Sequence, residues 1–265
     1  MPGFLFVLGL LGVVAGAPRH DVSPKIINGT NANDGEFPYM VSLRKVRDGE
    51  QHECGGSIIS ERWILTAAHC VWGQLLVSVR YGSVRLDEGH VDYNYTMPIK
   101  TQIVHPDYTN IANDSGWFML NDVALLELQD PLPFGPDVGP VQLPDQDDPE
   151  PVGSTGVLSG WGNIDDHSTQ PEVLQKIDQI LYDQEFCSAY FAVNSIWYYD
   201  RYGFVCGGVP GELRRACFGD SGGPLVVDGV QRGMVSMGGT RCAVSPTIFT
   251  RVSVVRDWIR TVTGT

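Results

Sequence analysis

An all-β fold is the prediction of this sequence, and three observations make it. Apolar runs are short, as at Tyr39 to Arg44, Ser57 to Ser60, Trp63 to Ala67, Leu75 to Tyr81 and Thr96 to Val104. Between them stand Gly, Pro, Asn and Asp, the residues that punctuate strands. Apolar spacing of helical period is nearly absent. In a chain of 265 residues this pattern specifies a barrel or sandwich, as one large domain or two small ones, and not an α/β fold. The 43% of hydrophobic residues supply a substantial core.

Taken in order, the chain opens with an apolar run from Phe4 to Val14 that ends at Ala15-Gly16-Ala17, the small-x-small pattern of a signal-peptidase site, so residues 1–17 read as a signal peptide. The run is shorter than the ~20 residues a membrane-spanning helix needs. Residues 18–25 are polar and end at Lys25, before Ile26-Ile27-Asn28-Gly29, and read as a removable propeptide. Cleavage after Lys25 frees an amino group on apolar Ile26, suited to enter a pocket that holds an aspartate, for which Asp220 is the candidate. The strands already named follow, with further ones at Gly156 to Trp161 and Leu174 to Leu181. The acidic, proline-bearing run from Pro144 to Pro151 reads as a solvated loop. Two helices are expected: one after Asp183, an N-cap followed by Glu185 in the first turn, and one over Ser253 to Val262, where Val254, Val255, Trp258, Ile259 and Val262 form an apolar stripe.

Charge and cysteine content exclude several functions. A net charge of −13 opposes binding to nucleic acid or to an anionic membrane. The six cysteines lack Cys-x-x-Cys spacing and no His-Glu-x-x-His occurs, so neither a structural metal nor a cofactor is expected. In an oxidising compartment six cysteines predict three disulfides, with fifteen pairings open.

The chemistry concentrates at Cys217-Phe-Gly-Asp-Ser-Gly-Gly-Pro224. Gly219, Gly222 and Gly223 leave the backbone bare around the Ser221 hydroxyl, so a substrate carbonyl can approach amide N–H groups in the layout of an oxyanion hole. Serine is a weak nucleophile and needs a base with a third group to orient it. His69 follows a strand in Leu-Thr-Ala-Ala-His-Cys, and Asp122 heads the apolar run Asn-Asp-Val-Ala-Leu-Leu, where an ionised carboxylate needs a partner. Taken alone, His69 also fits a structural role and Asp122 a turn cap.

The order His69, Asp122, Ser221 resembles that of the chymotrypsin/trypsin-like secreted serine peptidases. The resemblance runs from Ile26 to the C-terminal helix. It includes Cys-Gly-Gly-Ser at Cys54 to Ser57, Ser-Gly-Trp-Gly at Ser159 to Gly162 and Gly-Asp-Ser-Gly-Gly-Pro. It implies a peptidase domain at 26–265 built of two six-stranded antiparallel β-barrels, about 26–130 and 131–265, around an interdomain cleft, with a short intermediate helix and a C-terminal helix. By the same resemblance Ser221 is the nucleophile, His69 the base and Asp122 its orienting acid, and the amides of Gly219 and Ser221 form the oxyanion hole. Disulfides pair Cys54 with Cys70, Cys187 with Cys206 and Cys217 with Cys242, and Ile26 pairs with Asp220 after activation.

The sequence also departs from the family. The pocket floor, an aspartate in trypsins, falls on Arg215, beside Ala216, with Gly238 and Thr247 lining the pocket and Met237 in place of a common tryptophan. This excludes a trypsin-like preference and leaves an apolar, aromatic or acidic one. Two connections, Tyr108 to Asn121 and Cys187 to Cys206, are longer than in digestive relatives. The sequons at Asn28, Asn94 and Asn113 are candidate glycosylation sites. The reading is a monomeric, secreted, extracellular endopeptidase whose partners are protein or peptide substrates, an activating trypsin-like peptidase and protein inhibitors. The alternative is a catalytically weak homologue that acts as a binding or regulatory protein.

Overall fold

The computed structural model describes residues 29–46, 50–86, 95–113, 116–165, 168–193, 203–209, 215–237 and 246–265. The first barrel is closed by six antiparallel strands: β2 (Met40–Val46), β3 (Glu50–Ser60), β4 (Trp63–Thr66), β5 (Leu76–Tyr81), β6 (Thr96–Val104) and β9 (Ala124–Leu128), in the order β2-β3-β4-β9-β6-β5. Between β6 and β9 lies a separate hairpin, β7 (Thr109–Asn113) and β8 (Gly116–Leu120). The second barrel joins β10 (Thr155–Gly160), β11 (Gln175–Leu181), β12 (Phe204–Gly208), β13 (Pro224–Val227), β14 (Val230–Met237) and β15 (Thr247–Arg251), and closes through β11 against β12. A two-residue strand, β1 (Thr30–Asn31), adds to its β11.

Strand alternation explains why some runs are apolar throughout. On β9, Ala124, Leu126 and Leu128 point into the first barrel, whereas Leu125 and the preceding Val123 point out to a second cluster with Leu65, Val226, Met234 and Ile259. On β13, Leu225 and Val227 fill the second barrel, and Val226 faces the same junction. A strand buried on both faces cannot alternate with polar residues. The junction cluster joins the two barrels and receives the C-terminal helix α2 (Arg256–Thr263), preceded by a 3₁₀ turn at Ser253–Val255 and capped by Gly264 in the left-handed region at φ 76°. The helix expected after Asp183 is α1 (Gln184–Val193), with the Asp183 carboxylate accepting from the Phe186 N–H at 2.7 Å.

Two local expectations need correction, and one long connection gains a structure. Strand β3 starts seven residues before Ser57: Glu50 to Gly56 carry no apolar pattern, yet they pair along β2. The segment from Pro144 to Pro151 is not simply solvated, because Asp148 meets Arg232 at 2.5 Å and Glu150, with a side chain 6% exposed, meets Arg251 at 2.9 Å. The long connection from Tyr108 to Asn121 is a hairpin whose Met119 packs with Phe191 of α1, Phe204 and Met237.

Candidate active site

The site forms where the barrels meet, and glycine permits the contact. The Gly55 N–H of β3 donates to the Ser221 carbonyl at 2.8 Å, and a Cβ on Gly55 would come within 3.1 Å of Gly223 Cα. Gly222 holds φ +77°, and a Cβ there would lie 2.2 Å from Thr66 Oγ1, so the turn after Ser221 tolerates no side chain. Thr66 Oγ1 in turn donates to the Gly55 carbonyl at 2.9 Å.

His69 lies in a 3₁₀ turn, Ala68–Cys70, directly after β4. Its Nδ1–H donates to Asp122 Oδ2 at 2.8 Å, and its backbone N–H donates to Asp122 Oδ1 at 2.8 Å. Ser236 on β14 donates its hydroxyl to the same Oδ2 at 2.5 Å. The carboxylate is fully buried while the His69 side chain is 19% exposed, so one acid holds one ring nitrogen, and the other, Nε2, lies 3.8 Å from Cys70 Sγ of the Cys54–Cys70 disulfide. Burial pulls the His69 pKa down, but the charge and hydrogen bond of Asp122 outweigh it and the net shift is upward from 6.5.

Ser221 and His69 line one cavity of about 300 Å³ together with Gly219, Glu53, Gln74 and Phe218. Ser221 Oγ and His69 Nε2 are not hydrogen-bonded to one another in this arrangement, as is common before substrate binds. Gly219 has φ +99°, and the N–H groups of Gly219 and Ser221 find no acceptor among the described residues. Two unoccupied donors beside a hydroxyl form an anion cradle. Cys54 Sγ, the His69 ring and Cys70 Sγ lie within 4.8 Å of one another, but the two sulfurs are joined in a disulfide and offer a metal no thiolate.

The family model described as Trypsin matches residues 26–259. The chain belongs to this trypsin family. It is 38% identical over 245 residues to Trypsin 5G1 of Aedes aegypti, covering 91% of this chain and 86% of that protein. It is 36% identical over 240 residues to Chymotrypsin-2 of Vespa crabro, covering 89% and 98%. Among solved structures it resembles neuropsin, a serine protease expressed in the limbic system of mouse brain, with TM-score 0.74, 29% identity and coverage of 89% and 98%. The protein is therefore a serine endopeptidase that acts on protein substrates.

Within this trypsin-family fold the remaining predicted residues take distinct places. Disulfides join Cys54 to Cys70 and Cys187 to Cys206. Cys217 is also disulfide-bonded, and its expected partner Cys242 lies outside the described residues, as do Lys25, Ile26, Asn28, Asn94 and Gly238. Asn113 ends β7. Asp220 is fully buried, its carboxylate accepting from the Gly162 and Cys217 N–H groups at 2.8 Å each. Burial raises its pKa to about 6 against those two hydrogen bonds, and it has no cationic partner among the described residues. Arg215 Nε and Nη1 are buried without a hydrogen-bond partner among the described residues. Burial lowers its pKa, opposed by the nearby Tyr190 and Tyr182. The Ala216 N–H donates to Thr247 Oγ1 at 3.4 Å, which ties Ala216 to β15.

Two participants escape a reading of the sequence. Ser236 is a buried hydroxyl within the apolar end of β14, and that misfit was the available signal. His52 gave none, since it lies in the polar stretch Gln-His-Glu. It is buried, donates Nε2–H to the Gly219 carbonyl at 2.9 Å and accepts at Nδ1 from Ser42 at 2.7 Å. Burial pushes its pKa down to about 4, despite the Gly219 hydrogen bond and with help from Arg44, so it is a neutral clamp on the loop that carries Gly219 and Ser221.

Proposed function

We propose that the protein is a secreted endopeptidase made as a zymogen, with residues 1–17 as signal peptide, 18–25 as propeptide and the peptidase domain from Ile26, and that it cleaves after acidic or apolar side chains and not after Lys or Arg. The observation that carries the catalytic part is the buried Asp122 carboxylate holding His69 through two hydrogen bonds at the rim of the cavity that also contains Ser221. Ser221 Oγ attacks the scissile carbonyl carbon as its proton passes to His69 Nε2. The oxyanion accepts from the Gly219 and Ser221 N–H groups, and Asp122 stabilises the imidazolium. The proton then goes to the leaving amine, and water repeats the steps on the acyl-enzyme.

Activation rests on Asp220. A carboxylate buried without a cation is costly, and the α-amino group freed on Ile26 by a trypsin-like peptidase supplies one. The pairing orders the segment between Cys217 and Ser221. Arg215 supports the substrate preference: its Nε and Nη1, without a partner among the described residues, favour an acidic side chain and repel a basic one. Labelling of Ser221 by an organophosphonate after processing at Lys25 tests catalysis, and absence of labelling favours a binding or regulatory homologue. Kinetics on peptides that differ only in Glu, Phe or Arg before the scissile bond test the pocket, and a preference for Arg overturns it.

A further inference from the structure

We propose that Glu53 is a specificity-determining residue for the leaving-group side of the substrate, selecting a lysine or arginine within the first two residues after the scissile bond. This rests on the catalytic reading of Ser221 and His69. Glu53 is placed by a bulge in β3: Leu43 of β2 pairs with Cys54 and Arg44 pairs with His52, so Glu53 has no partner across the ladder. Such an extra residue bends its strand and re-aims a side chain. Both neighbours are pinned to the active site, His52 to the Gly219 carbonyl at 2.9 Å and Cys54 through its disulfide to Cys70, next to His69.

The bulge puts Glu53 in the wall of the cavity that contains His69, Ser221 and Gly219. Arg215, Ala216 and Thr247 are not among its described lining residues, whereas Glu53, Cys54 and Gln74 of the first barrel are, and this wall is assigned to the side from which the amine departs. Among the described residues Glu53 is the one carboxylate in its lining, and no lysine or arginine lines it. Lys45 approaches Glu53 at 3.5 Å, but it makes a 2.6 Å hydrogen bond to Gln74, and both charged side chains are partly exposed at 23% and 27%. A long, hydrated contact of this kind is readily exchanged for a better-placed cation. Phe218, 65% exposed on the rim, offers an apolar surface to the methylene stem and a ring face to a guanidinium. The net charge of −13 favours encounter with cationic segments.

The test uses the full chain processed after Lys25 and freed of the processing peptidase. Quenched peptides identical on the acyl side carry Arg, its neutral isostere citrulline, or Glu at the first or second residue after the scissile bond, and mass spectrometry confirms the bond cut. The expected kcat/KM ratio of Arg to citrulline is roughly three- to fivefold at one of the two positions, the upper end of what a partly exposed ion pair supports, with Glu lower still. In Glu53→Gln that ratio falls to near one. A ratio near one in the unaltered protein, a ratio unchanged in Glu53→Gln, or a preference for Glu each overturns the proposal. Phosphonate titration of Ser221 runs in parallel: no labelling and no hydrolysis of any peptide overturns the catalytic reading itself, whereas normal labelling with flat ratios overturns this inference alone.

Discussion

Replacing Asp122 by Asn tests the site where the geometry is most specific. The carboxylate accepts from three donors: the His69 N–H at Oδ1, and His69 Nδ1–H and the Ser236 hydroxyl at Oδ2. An amide of the same shape offers one oxygen and one NH₂. With the oxygen toward the His69 backbone, the NH₂ faces Nδ1, which must then become an acceptor and moves the ring proton to Nε2. That tautomer cannot take the Ser221 proton. Turned the other way, the NH₂ abuts the His69 N–H, so no orientation satisfies both. Restoring the productive tautomer forfeits about two charge-assisted hydrogen bonds at ~1.5–3 kcal/mol each, or ~3–6 kcal/mol. This corresponds to a loss of roughly 10²- to 10⁴-fold in kcat. The pH profile gives a second reading. Asp122 raises the His69 pKa, and the neutral ring is the active form, so the acid limb of kcat/KM in the unaltered enzyme lies above pH 6.5, the ordinary value, and moves to lower pH in Asp122→Asn. A variant that keeps its rate within threefold and its acid limb in place would refute the assignment of Asp122 as the partner of His69.

Other expectations follow from the same structure. Ser221→Ala and His69→Ala each abolish nearly all hydrolysis, and the double variant is scarcely worse than either alone because the residues act as a unit; additive losses in single-turnover rates contradict this. The zymogen does not process itself, since Lys25 would have to meet Arg215. At ~4 Å and an effective dielectric of 20 that repulsion is about 4 kcal/mol, near a thousandfold, so rapid appearance of an Ile26 terminus without added trypsin, lost in Ser221→Ala, counts against a free Arg215. The unprocessed chain loses stability as pH rises through about 6, because the folded pKa of Asp220 is raised above its unfolded value. The contribution is complete below about pH 4 and is lost above about 6, amounting to ~3 kcal/mol for a shift of about two units. Urea midpoints of the precursor that show the same pH dependence in Asp220→Asn remove Asp220 as the cause.

The features legible in the chain alone are local in their physics. The fold class was legible because turn residues and short apolar runs report strands wherever they lie. Ser221, His69 and Asp122 were legible because each is chemically out of place: a hydroxyl among glycines, an imidazole after a strand, an acid at the head of Val-Ala-Leu-Leu. Arg215 was visible as a charge where the resemblance places the pocket floor, but its buried nitrogens and tyrosine neighbours were not. Tertiary structure decided whatever depends on a partner far along the chain. Glu50 to Gly56 is a strand because β2 lies beside it, although its own composition is polar. Asp148 and Glu150 are held because Arg232 and Arg251 come from the second barrel. Ser236 reaches Asp122 across 114 positions, and His52 reaches Gly219 across 167. Composition constrains each residue's local conformation and its need for a partner. Which partner it meets is set by strand register, bulges and barrel closure, and these exist only once both barrels have formed against each other.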